Sequence, residues 1–148
     1  MTFKQRLHED LTSAMRDQDE ARKRTLRSAL SAIKLEEVEA GRELTDAEVL
    51  AILQREAKQR RETLEELDRV ERPELLATEQ ADLLILQQYL PQQLSRAEIE
   101  DLAGRVIADG GAAGPGDIGQ VMRALMPQVK GRADGKLVSQ VVRELLSQ

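Results

Sequence analysis

The sequence predicts an all-α protein with a four-helix N-terminal part, residues 1–91, and a small three-helix tail, residues 92–148. Three observations predict it. Apolar residues recur at spacings of three and four rather than two. Strong helix formers dominate, and runs of β-branched residues are absent. Two segments, Thr45-Asp46-Ala47-Glu48 and Ser95-Arg96-Ala97-Glu98, carry a capping box, in which a hydroxyl side chain accepts from the backbone while a Glu reaches back.

The first helix starts after Thr2, a suitable N-cap, and places Phe3, Leu7, Leu11 and Ala14 on one face. The polar run Arg16-Asp17-Gln18-Asp19 breaks it. A second helix directs Leu26, Ala29, Leu30 and Ile33 inward and stops near Gly41, which suits a left-handed C-terminal position. Thr45 opens a third, which continues toward Val70, and Pro73 fits the first turn of a fourth. The fourth carries Leu75, Leu76, Leu83, Leu84, Ile85, Leu86 and Tyr89 around most of its circumference, so it is expected to pack on more than one neighbour. Leu90-Pro91 ends it, because the residue before a proline is pushed out of helical geometry. In the tail, Ser95 opens a helix with Ile99, Leu102 and Val106 that closes at Gly110-Gly111. After the turn Gly114-Pro115-Gly116, Asp117 is expected to cap a helix holding Ile118, Val121, Met122 and Leu125, with Pro127 as its limit. The last helix begins near Asp134 and presents Leu137, Val138, Val141, Val142, Leu145 and Leu146.

Composition excludes much chemistry. With no Cys and one His among 148 residues, disulfides, thiolate metal sites, a Cys nucleophile and multi-histidine metal clusters are ruled out, and neither metal nor cofactor is expected. The apolar stretches are only a few residues long and the N-terminus mixes charges into its first turns, so a membrane span and a signal peptide are not expected and a cytoplasmic place is. Phe3 and Tyr89 are the only aromatic residues, which argues against stacking platforms for unpaired bases. Residues 1–90 carry 15 Lys and Arg against 20 Asp and Glu, whereas residues 91–148 carry 7 against 7. The net charge of −5 therefore belongs to the first part, and any contact with nucleic acid must rest on a local basic patch.

Three groups of residues are candidates for function or for internal pairing. Gly131-Arg132-Ala133-Asp134-Gly135-Lys136 does not meet the phosphate-loop pattern, since its glycine spacing is one residue short, Leu137 stands where a hydroxyl is needed and no strand precedes it. What it offers is a glycine turn feeding a helix N-terminus, with Lys130, Arg132 and Lys136 around it, or else a solvated loop capped by Asp134. On the second helix, Lys23, Arg27 and Lys34 fall within about 40° of one another and form a secondary basic edge. On the third, Glu56 and Arg60 share a face with Val49, Leu53, Leu64 and Leu67 and are expected to form a packed ion pair. His8 has no assignable nucleophile or orienting acid, and no catalytic residue is expected.

The segments Thr25-Leu26-Arg27 through Lys34, Gly41 to Thr45, Lys58-Gln59-Arg60, Tyr89-Leu90-Pro91 and the C-terminal block together resemble the GatB/YqeY family over nearly the whole chain. Gly119 to Ala124 and Lys130 to Val138 also resemble the tail domain of the GatB subunit of glutamine-dependent aminoacyl-tRNA amidotransferases, although this chain has extra residues around Leu125-Met126-Pro127-Gln128. The resemblance implies a helical, tRNA-associated accessory module, with tRNA as partner and an aminoacyl-tRNA amidotransferase or synthetase as the enzyme it accompanies. It assigns Lys130, Arg132 and Lys136, supported by Arg123, to tRNA phosphates. A carbon-nitrogen ligase activity with glutamine as amide donor would be inherited from such an assembly, because the chain holds nothing that matches the catalytic parts. A rival reading is a protein-interaction module that docks through the fourth helix around Leu84 and Ile85.

Overall fold

Local capping chemistry sets where the helices begin. In the computed structural model, which describes residues 1–148, the hydroxyls of Thr2, Thr45 and Ser95 accept from the backbone N–H groups of Gln5, Glu48 and Glu98, whose side chains accept in return from the N–H of the capping residue. Seven α-helices and one short 3-10 turn result, with no strand, so the protein is all-α. They are α1 (Phe3–Arg16), α2 (Glu20–Ala40), α3 (Asp46–Val70), α4 (Pro73–Gln87), α5 (Arg96–Gly110), the 3-10 turn Pro115–Asp117, α6 (Ile118–Val129) and α7 (Gly135–Leu146). No helix is long and apolar enough to cross a membrane.

The chain divides into two compact units, Met1–Leu90 and Pro91–Gln148. In the first, α1 packs along α2 and α3 along α4, and α2 also meets α3 and α4. The apolar stripes converge on a core of Leu7, Leu26, Ala29, Ile33, Val49, Ile52, Leu53, Ala57, Ile85 and Leu86, with Tyr89 at its edge. Gly41 stops α2 at φ 70°, a left-handed geometry that costs a residue without Cβ nothing. In the second unit α5, α6 and α7 each touch the other two around Ile99, Ala103, Val121, Leu125, Val129, Val138, Val141, Val142 and Leu146.

Three local expectations change. Pro127 lies inside α6 rather than at its limit. The proline removes one bond to the carbonyl four residues back, but Val129 beyond it is fully buried and the Lys130 N–H still donates to the Met126 carbonyl at 2.9 Å. Burial of Val129 outweighs the lost bond, and the helix runs two residues further. Asp117 caps no helix: its carboxylate turns back and accepts from the N–H groups of Ala113, at 2.9 Å, and Gly114. That fastens the loop before the 3-10 turn. Finally, α4 ends at Gln87, and Gln88, Tyr89 and Leu90 continue as a tighter turn in which each N–H donates to the carbonyl three residues back.

Candidate nucleic-acid interface

The α6–α7 connection owes its shape to backbone bonds. Lys130 leaves the helix with an extended ψ of 127°, and Gly131 reverses the chain at φ 78°. The Arg132 N–H then donates to the Val129 carbonyl at 2.9 Å. The segment that precedes α5 clamps this turn from outside. The Leu94 N–H donates to the Arg132 carbonyl at 2.8 Å, the Gln93 side-chain amide to the Gly131 carbonyl and the Arg132 Nε to the Gln92 carbonyl. Asp134 caps α7 by accepting from the Lys136 N–H at 3.1 Å. The N–H groups of Gly135 and Leu137 remain without intrahelical acceptors at the positive end of the helix.

The candidate cations differ in their freedom. Lys130 and Lys136 are exposed and make no ion pair. Arg132 lines a shallow depression with Glu98, Asp101, Leu102 and Arg105. Arg123 precedes Lys130 by seven residues, two helical turns, and so lies on the same side of α6 about 10 Å away along the axis. Its Nε donates to the Gly119 carbonyl of its own helix at 3.3 Å.

The secondary basic edge on α2 separates into unlike parts. Lys23 is engaged by Glu20 at 3.1 Å. Arg27 and Lys34 have no carboxylate partner, and both line an open groove of about 510 Å3 between α1 and α2 with Lys4, His8, Leu11, Leu30, Ser31, Ile33 and Glu37.

The expected ion pair along α3 is replaced by one across the α3–α4 interface. Arg60 lies 3.2 Å from Glu79 and 4.0 Å from Asp82, both on α4, and Glu56 takes no part. Asp82 is only 2% exposed and receives the Arg24 Nη2 at 2.6 Å. Arg60 occupies the packed stripe of α3 that faces α4, so its guanidinium finds acids there sooner than along its own helix. The docking face on α4 also shrinks, since Ile85 belongs to the core at 8% exposure and leaves Leu84 outside at 63%.

Two features gave little sign in the sequence. Tyr89 donates its hydroxyl to Asp10 at 2.5 Å and lies under the Arg6 guanidinium, 4.9 Å from the ring centre. Burial, and then the bond to Asp10, push its ionisation above the usual tyrosine range. Lys4 bridges Glu37 and Glu43, which raises its own ionisation, while the Leu44 N–H and Lys4 hold the Glu37 carboxyl below the ordinary range. The signal for Asp82 was an acid set among Leu83, Ile85 and Leu86 of an apolar helix.

A family model described as Yqey-like protein matches residues 4–146. The chain belongs to the YqeY-like family. Among curated relatives, altered inheritance of mitochondria protein 41, mitochondrial, of Pyrenophora tritici-repentis is 30% identical over 144 residues, which cover 95% of this chain and 79% of that protein. The protein of the same name from Lachancea thermotolerans is 31% identical over 106 residues, 70% of this chain and 57% of its own length.

Proposed function

We propose that this member of the YqeY-like family is a tRNA-binding accessory module that holds tRNA phosphates through the α6–α7 turn and performs no reaction itself. The observation that carries the reading is the pair Lys130 and Lys136, both exposed and without ion-pair partners, on either side of a glycine turn that feeds a helix N-terminus. Such a turn offers point charges and backbone N–H groups to a phosphate. Arg123 extends the basic track, and Arg132 anchors the turn as much as it offers charge. The second unit has no aromatic residue, so recognition rests on the backbone of a structured RNA rather than on stacked bases. The resemblance of Gly119 to Ala124 and Lys130 to Val138 to the GatB tail supports tRNA as that RNA and an aminoacyl-tRNA amidotransferase or synthetase as the enzyme served, and the setting we propose is cytoplasmic.

The test is fluorescence anisotropy of labelled tRNA against the full-length protein over a range of salt concentrations. Three phosphate contacts imply a log-log salt slope of about −2 to −3 and a Kd in the micromolar range or weaker at physiological salt. Lys130→Gln with Lys136→Gln spares the Arg132 anchor and should reduce the slope to about −1. Unchanged affinity and slope in that double variant would overturn the reading.

A further inference from the structure

The groove between α1 and α2 is lined by residues of the first unit alone. Its floor is apolar, made by the part-exposed Leu11 and Leu30 over the buried Ile33. Its rim is cationic. Lys4 and Glu37 neutralise each other at 3.0 Å, and Glu43 also leans on Lys4. Arg27 touches no acid, its Nη2 resting 3.5 Å from the Met15 sulfur, and Lys34 makes no ion pair at all. Lys4, Lys34 and Glu37 also line a shallower depression that carries the groove on to Val38, which is 71% exposed.

Spacing narrows the occupant. Arg27 and Lys34 are seven residues apart on α2, so they stand on one side of the helix about 10 Å apart, with the floor between them. Two carboxylates seven residues apart on a second helix have the same separation, and apolar residues three and four positions after the first fall over the floor between. A nucleic acid fits poorly: phosphates would leave Leu11 and Leu30 uncovered, and a long polyanion would meet the net charge of −5 that this unit carries. We infer that the α1–α2 groove is a docking site for an acidic amphipathic helix of a partner protein, with Arg27 and Lys34 clamping carboxylates two turns apart over the Leu11 and Leu30 floor.

The probe is a fluorescein-labelled, end-blocked, Ala-rich peptide of roughly 16 residues with two Glu seven apart and Leu three and four residues after the first. A second peptide has Lys in place of both Glu. The full chain is titrated with each, by anisotropy and by amide resonance shifts. The Glu peptide should move resonances on the facing sides of α1 and α2 and weaken with salt. The variant Arg27→Glu with Lys34→Glu should lose affinity about five-fold or more and prefer the Lys peptide. Both side chains are exposed, and the salt dependence of the wild-type complex serves as the test if that variant does not fold. Equal binding of both peptides, no saturable shift up to millimolar peptide, or shifts confined elsewhere would overturn the inference. Displacement of the peptide by tRNA would assign the groove to nucleic acid and overturn it as well.

Discussion

Removing the Arg60 guanidinium tests how the first unit is held together. Asp82 is 2% exposed and has two cations, Arg24 at 2.6 Å and Arg60 at 4.0 Å, while Arg60 also meets Glu79 at 3.2 Å. Stripping the partner from a fully buried charge costs about 3–5 kcal/mol. Arg60→Ala leaves Asp82 with Arg24, whose side chain is about half exposed, and leaves Glu79 19% exposed without its partner. Discounted for that remaining partner and for solvent, the expected loss is about 2–3 kcal/mol. For a unit of this size it lowers the Tm by about 10–20 °C. Lys58→Ala, an exposed cation without an ion pair on the same helix, should stay within about 0.5 kcal/mol. Arg24→Ala combined with Arg60→Ala should cost more than the sum of the two, since only the pair strands the buried carboxylate. Urea titrations followed by tyrosine fluorescence measure all four. If Arg60→Ala and Lys58→Ala melt alike, or the double variant is strictly additive, the reasoning from a shared buried acid fails.

Three further outcomes are expected. The Thr25 hydroxyl is buried with no hydrogen-bond partner, so Thr25→Val should be neutral or stabilising by up to about 1 kcal/mol, read from the urea midpoint; a loss would reveal a bond. The bonds from Arg42 and from the Thr45 N–H hold the Glu48 carboxyl at about 2 instead of the usual 4.5. Its folded value is depressed, so its contribution is complete above about pH 4.5 and fades toward pH 2; the urea midpoint of Arg42→Gln should fall less steeply across that window than that of the wild type. Tyr89 is raised above its usual 10, so the stability it contributes is present below pH 10 and declines above it; phenolate absorbance should appear only together with alkaline unfolding, and Tyr89→Phe should cost about 1–2 kcal/mol.

What could be read from the sequence was what depends on residues three or four apart. The Thr45 and Ser95 boxes form, Gly41 and Gly111 close their helices in the left-handed region, and the apolar stripes build both cores. The misreadings concern partners distant in the chain. A helical repeat offers Arg60 only neighbours such as Glu56, whereas α4 supplies Glu79 and Asp82 from 19 and 22 positions away. Pro127 reads as a stop until the burial of Val129 is known. Of the candidate cations, Lys23 is held by Glu20 while Lys130, Lys136, Arg123, Arg27 and Lys34 are exposed and outside any ion pair, a distinction that no spacing rule contains.

The placement of Tyr89 makes the protein its own optical probe. Tyr89 is the only tyrosine, there is no tryptophan, and the second unit contains no aromatic residue of any kind. Tyrosine emission and near-ultraviolet dichroism therefore watch the first unit alone, whereas far-ultraviolet dichroism weighs helices from both. Melting curves recorded by the two signals overlay if the units unfold as one cooperative body and separate if they do not, so the coupling between the halves of the chain can be measured without any label.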